Sequence, residues 1–380
     1  MSEKLLGIYI HIPFCMHKCA YCDFYSVPHK PQAMDAYIKA LTAQIRRTGN
    51  SASMKKVDTV YFGGGTPSLM TEADIAFVMQ ALRDTFEISR GAEITLEANP
   101  GTVDSAKLSA FRNAGVNRLS MGMQSASDEE LRRLSRIHTR ADFENSYLLA
   151  RMEGFDNISF DLMYGLPRQN EKLLSETVDY AMELAPEHIS FYGLKIEPDT
   201  PFGNNPDVIK SVPDEDTQVN MYMKTASELE KHGYRQYEIS NFAKPGYESR
   251  HNLKYWKSMD YLGFGPGAHS FNDGRMFSYK KDLKLYLSCD DDMKMLGENY
   301  IPAQKELSAQ FVMLAFRTSD GVDTDEYNRR FGGNFAIEYY SKMKPFIDKG
   351  FIIQGDGNFR LSRNGMLISN YILSEILNFG

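Results

Sequence analysis

Short apolar runs alternate with longer amphipathic stretches through the first half of the chain. The strand-like runs fall at 7–12, 59–62, 93–98, 118–123, 157–163 and 188–194. Apolar residues recur at helical spacing over 34–47, 72–85, 105–113, 144–153 and 173–184. Strands separated by helices of this length predict parallel βαβ units with right-handed crossovers. Six such units form either a partial (β/α)6 barrel, two units short of the full eight, or an open doubly wound sheet. Periodicity alone allows both.

Beyond Pro198 the alternation is lost. Residues 199–216, rich in Pro, Asn and Asp, read as a loop, and a helix follows at 217–232. The stretch 237–279 is aromatic and Gly-rich. From about Glu306, helical segments, a Gly-rich turn and a hairpin-like end at 351–361 suggest a small α+β domain of winged-helix-like form. The expected organisation is a core over 1–235, a connecting region over 236–300 and a C-terminal helical/α+β domain over 301–380. No internal repeat or low-complexity tract is visible.

Composition narrows the class of protein. Hydrophobic residues make up 42% and charged residues 24%, as in ordinary globular chains. A net charge of −7 over 380 residues argues against bulk electrostatic attraction to nucleic acid, so no nucleic-acid partner is expected. The opening residues lack the apolar run and small-residue site of a secretory leader. No apolar stretch approaches the roughly 20 residues that span a bilayer. The expected location is the cytoplasm, where thiols stay reduced.

Three of the four cysteines, Cys15, Cys19 and Cys22, fall within eight residues just after the first strand. In a reducing compartment such a cluster reads as metal ligands. Structural zinc wants four ligands, so His17 or a distant group would have to complete it. An iron–sulfur cluster accepts three thiolates and leaves one iron open, and that iron can chelate an amino and a carboxylate group. Cys289 stands alone and reads as a small buried hydrophobe.

Polar chemistry recurs at the end of each strand. The second ends in Gly63-Gly64-Gly65-Thr66-Pro67, the third in Glu97-Ala98-Asn99-Pro100 and the fourth in Gln124-Ser125. The fifth carries Asp161 before Tyr164-Gly165-Leu166-Pro167. Parallel α/β folds gather their sites at this carboxyl edge. Taken singly, each feature has a plainer reading. The glycines fit a tight βα turn, and Glu97, Gln124, Arg136 and Asp161 fit a polar rim or surface ion pairs.

The spacing Cys15-x3-Cys19-x2-Cys22, with the aromatic Tyr21 inside it, resembles the signature of the radical S-adenosylmethionine (SAM) proteins. That resemblance implies a radical SAM barrel with a [4Fe–4S] cluster on the three cysteines and SAM on the open iron. Further segments narrow it: Tyr9-Ile10-His11-Ile12-Pro13-Phe14-Cys15, the glycine turn, Glu97-Ala98-Asn99-Pro100-Gly101-Thr102, Asn117-Arg118-Leu119-Ser120-Met121-Gly122 and Asp161 to Pro167. Together they resemble the oxygen-independent coproporphyrinogen III oxidase group over nearly the whole chain. By motif, the resemblance implies that Tyr9, Tyr21, Gly64, Gly65, Thr66, Glu97, Gln124, Arg136 and Asp161 contact SAM, in one copy or two.

Two departures count against the oxidase reaction. Phe24 stands where the oxidase pattern carries a further cysteine, and only 14 residues precede Cys15 where the oxidase has an N-terminal arm. Both are features of a sister group, the heme chaperones. His251-Asn252-Leu253-Lys254-Tyr255-Trp256, with the chain's one tryptophan, is similar to their HNxxYW signature. The resemblance implies heme contact through His251, Tyr255 and Trp256, with His269 in reserve. On chemistry alone, His251 fits a heme ligand or a buried histidine bonded to a carbonyl. No Cys-x-x-Cys-His attachment motif is present. The expectation is a heme-carrying protein that serves acceptor hemoproteins. It would draw on a flavodoxin- or ferredoxin-like reductant and pair as a cluster-dependent homodimer. The oxidase remains the rival.

Overall fold

A computed structural model describes residues 5–49 and 55–377. Residues 1–4, which open the stretch read for a leader, and 378–380, which close the third segment, lie outside the described residues. Six parallel strands stand side by side in chain order: β1 (Leu5–Ile12), β2 (Lys56–Gly64), β3 (Glu87–Ala98), β4 (Arg118–Gln124), β5 (Ile158–Tyr164) and β6 (His188–Gly193). Between them run α1 (Pro31–Gly49), α2 (Glu72–Thr85), α3 (Ser105–Ala114), α4 (Arg140–Met152) and α5 (Glu171–Leu184). A doubly wound sheet reverses its strand order at a switch point. Here the order runs without reversal, so every crossover advances the sheet the same way and it curls into a partial barrel.

Local chemistry fixes where the helices begin and end. Capping boxes start α2 (Thr71 with Asp74) and α4 (Thr139 with Asp142), and Gly115 at φ +105° ends α3. The strands alternate between the helical layer and the barrel interior. On β4, Leu119, Met121 and Met123 enter the hydrophobic core, while Arg118, Ser120, Gly122 and Gln124 line an interior cavity.

The segment in which sequence alternation is lost contributes more than a connection. After α6 (Glu215–Lys231), β7 (Arg235–Gln236) and β8 (Asn241–Ala243) extend the β6 edge antiparallel. α7 (Arg250–Trp256) leads into β9 (Tyr261–Phe264), which joins β1 in parallel. β10 (His269–Asn272), β11 (Arg275–Tyr279) and β12 (Leu296–Tyr300) follow antiparallel and complete a 12-stranded sheet among the described residues. These strands have two to five residues, too few to show an alternation in the sequence. The stretch 199–216 is likewise not all loop, because Asn205 caps a helix over Pro206–Ser211.

The chain ends in a unit with its own core around Phe311, Val312, Phe335 and Ile372. It comprises α8 (Gln304–Ala315), β13 (Val322–Asp323), α9 (Thr324–Phe331), α10 (Phe335–Asp348), β14 (Ile352–Gln354), β15 (Asn358–Leu361), a short turn of helix and α11 (Ser369–Leu377). Cys289 is half-buried rather than fully enclosed, its Sγ 3.5 Å from the Asp291 carbonyl. Among the described residues no helix is long and apolar enough to cross a membrane.

Candidate functional site

The carboxyl ends of β1 to β6 surround a cavity of about 470 Å³. The cysteine loop crosses its mouth and is tied down at several points. Phe14–Cys15 pairs with Val27–Pro28, His29 N–H donates to Cys15 O at 2.9 Å, and Ala20 N–H donates to Leu134 O at 3.3 Å. The glycine turn braces the same loop. Gly65 N–H donates to Ile12 O at 2.8 Å, and a Cβ at Gly65 would lie 2.6 Å from Phe14 O. Gly64, at φ +110°, turns its amide onto Glu97 Oε2 at 3.1 Å.

Cys15, Cys19 and Cys22 are free, half-buried and on the wall of this cavity. Thr66 Oγ1 donates to Cys15 Sγ at 3.5 Å, and Arg136 Nη1 donates to Cys19 Sγ at 3.7 Å. Asn99 joins these donors: its Nδ2 donates to Thr66 Oγ1 at 2.8 Å, and its Oδ1 accepts from Arg136 Nη2 at 2.9 Å. One hydrogen-bonded arc thus runs from Cys15 through Thr66, Asn99 and Arg136 to Cys19. Donors aimed at ligand sulfurs orient them and favour the reduced state of an iron–sulfur cluster. Among the described residues no three His, Cys, Asp or Glu side chains converge as the ligands of a single ion would. Three half-buried thiols around one mouth are residues that could hold a multi-iron cluster.

The cavity gathers Tyr21, Gly64, Gly65, Thr66, Glu97, Gln124, Arg136 and Asp161 with the three cysteines. Gln124 takes φ +63°, a strained conformation for a non-glycine residue at the strand end. Tyr9 lies apart, its hydroxyl 3.1 Å from His11 Nδ1 and its ring stacked on Tyr61. His17 and Phe24 are exposed at the mouth, Phe24 at 69%.

Two half-buried carboxyl groups, Glu97 and Asp161, share the cavity wall. Burial, and then the charge of Asp161, pushes Glu97 up to about 7; it accepts from Tyr61 Oη at 2.9 Å. Burial pushes Asp161 up to about 6, opposed by hydrogen bonds from Ser190 and Ser120. Near neutral pH the pair holds protons easily moved by a cationic ligand.

The HNxxYW segment forms α7, and its residues part company. His251 is 0% exposed, with Nδ1 2.9 Å from Thr59 Oγ1 and Nε2 2.7 Å from Tyr255 Oη. Burial, then Lys254 and Arg118, lowers it to about 3, so it stays neutral with both nitrogens engaged. Its ring stacks on Tyr61 at 5.2 Å. Asn252 reaches the first cavity. Tyr255 lines a second one of about 300 Å³, closed by Tyr261, Phe271, Leu307, Leu314, Arg330 and Phe331. Trp256 is half-buried, and His269 is exposed on β10. Sequence reasoning passed over Asn99, Arg118, Ser120 and Tyr61, all on the first cavity's wall. The signal was the two-residue alternation of β4, with polar Arg118, Ser120 and Gln124 on one face.

Residues 9–181 match the Radical SAM superfamily, and residues 303–368 match the HemN C-terminal domain. The chain is 34% identical over 373 residues to the heme chaperone HemW of Bacillus subtilis (strain 168), covering 97% of this chain and 98% of that protein. It is 35% identical over 383 residues to heme chaperone HemW of Haemophilus influenzae, covering 98% of each. Its structure matches coproporphyrinogen III oxidase (HemN) from Escherichia coli, described as a radical SAM enzyme, with a TM-score of 0.87. That match spans 100% of this chain and 91% of the other at 24% identity, a likeness of fold alone.

Proposed function

The chain belongs to the heme chaperone HemW family of radical SAM proteins, and on that premise we propose that it binds heme and delivers it to acceptor hemoproteins. It acts in the cytoplasm and takes electrons from a flavodoxin- or ferredoxin-like donor. Cys15, Cys19 and Cys22 hold a [4Fe–4S] cluster, and the cavity beneath them holds SAM. When bound, the cluster supplies one-electron chemistry and an open iron for SAM.

This chain's residues do the rest. Thr66 and Arg136 steady two of the cysteine sulfurs, and Glu97 and Asp161 offer acceptors to the ammonium or hydroxyl groups of SAM. Heme packs against Tyr255 and Trp256. His251 stands behind them and holds the Tyr255 hydroxyl at 2.7 Å. Ligation of iron by His251 would require it to give up one of its two hydrogen bonds.

The observation that carries this reading is the placement of α7. Within one turn, Asn252 reaches the cavity beside the cysteines and Tyr255 reaches the apolar second cavity. A flat, largely apolar ligand suits the second cavity, whose volume lies at the low end of ligand pockets.

The test is heme titration of the wild type, Tyr255→Ala and His251→Ala, followed by transfer to an apo-hemoprotein with and without the cluster. Binding weakened by Tyr255→Ala, and transfer that depends on the cluster, support the reading. Catalytic conversion of coproporphyrinogen to protoporphyrinogen with SAM and reductant would overturn it in favour of the oxidase.

A further inference from the structure

Arg118 begins β4 at the floor of the first cavity, six residues and roughly 20 Å of strand below Gln124. Its side chain is among the most deeply buried in the molecule, at 2% exposure, yet forms part of the cavity wall. Among the described residues it has no hydrogen bond and no ion pair, and its Nε is buried without a partner. Thr95, its register partner on β3, has a hydroxyl in the same condition. Glu97 and Asp161 feel its charge but neither accepts a hydrogen bond from it, so the buried guanidinium turns its donors to the cavity without an acceptor.

We propose that Arg118 anchors the carboxylate of a second small molecule, bound at the barrel floor beneath SAM. The guanidinium is planar and forked, which matches a carboxylate through two parallel hydrogen bonds. Glu97 pairs in register with Ser120, whose hydroxyl donates to Asp161, so two carboxyl groups lie one layer above the guanidinium. A doubly charged phosphate would overload one guanidinium and be repelled about twice as strongly by the two carboxyls; a singly charged carboxylate matches the single positive charge. SAM has one carboxylate, which an open cluster iron at the rim takes up. The anion at the floor therefore belongs to another molecule. That last step rests on the SAM reading above; the anion site itself does not.

The test uses the full chain with its cluster restored and ¹³C-propionate as the probe, read by saturation-transfer NMR with and without saturating SAM. SAM binding is measured separately by equilibrium dialysis. Propionate should bind the wild type with and without SAM, should bind Arg118→Met at least tenfold more weakly, and should be outcompeted poorly by inorganic phosphate. Arg118→Lys, which keeps the charge, should retain part of the binding. The arginine side-chain ¹⁵N resonances of the wild type should shift on adding propionate, a readout that needs no variant. No propionate binding to the wild type, unchanged binding by Arg118→Met, or displacement of propionate by SAM would each overturn the proposal. Failure of SAM to bind, with propionate binding intact, would overturn the SAM reading and leave the anion site standing.

Discussion

Replacing Glu97 by Gln tests how the barrel interior is charged. Glu97 is half-buried on the cavity wall and accepts hydrogen bonds from Tyr61 Oη and the Gly64 amide. Burial, then Asp161, lifts its carboxyl from the ordinary 4.5 to about 7. Between those values the unfolded chain has lost the proton and the folded chain keeps it. The folded state thus binds more protons, and stability falls as pH rises through this window. Over 2.5 pH units, at 1.36 kcal/mol per unit, the charged carboxylate costs about 3 kcal/mol by pH 8. Gln mimics the protonated acid, with its oxygen facing the Gly64 amide and its NH₂ facing Tyr61. The cluster-free Glu97→Gln protein should therefore be about 2–3 kcal/mol more stable than wild type at pH 8 and nearly equal to it at pH 4. Urea unfolding followed by the fluorescence of Trp256, the one tryptophan in the chain, reads this directly. A difference independent of pH, or a variant less stable at pH 8, would refute the reasoning. The same substitution should weaken SAM binding about 10-fold or more, because a charge-assisted acceptor is lost.

The remaining predictions concern the rim. Gly65→Ala places a methyl 2.6 Å from Phe14 O; it should cost about 2–3 kcal/mol in urea melts and prevent cluster reconstitution. Arg136→Lys keeps the charge but loses the fork that joins Cys19, Asn99 and the Gly122 carbonyl. Loss of about 1 kcal/mol of donation should lower the cluster's reduction potential by about 40–50 mV in a titration followed by electron paramagnetic resonance. Cys19→Ser should remove the brown absorbance near ~400 nm that thiolate-bound clusters give; a protein that purifies with stoichiometric zinc and no iron would sink the cluster assignment.

The strands of the half-barrel were legible because each is buried on its helical face and bounded by turn chemistry. The cysteine loop and the glycine turn were legible because a local spacing carries the whole signal. Asn99 was visible in the motif but had no role there. Its partners, Thr66 and Arg136, lie 33 and 37 residues away in sequence, and only the curl of the sheet brings all three to one rim. The edge strands β7 to β12 escaped because two to five residues cannot display a period.

Arg118 and His251 show a different kind of illegibility. An arginine inside the predicted strand 118–123 gives no sign of what its side chain meets, and a histidine among aromatics fits a ligand or a buried, hydrogen-bonded residue. The structure buries both side chains. His251 spends both nitrogens inside the protein, and among the described residues the Arg118 side chain finds no hydrogen-bond acceptor. A barrel that buries polar side chains in its interior obeys the same two-residue alternation as a sheet with one wet face. The pattern therefore says which face a polar residue takes, but not whether water, protein or a ligand waits on that face. That choice is fixed by closure, here by the six strands and by α7 laid beneath them. A ligand reading of a sequence motif is therefore safest where local spacing alone supplies the donors, as at Cys15, Cys19 and Cys22. Where closure decides, as at the floor around Arg118, the donors are supplied by residues that only the folded sheet brings together.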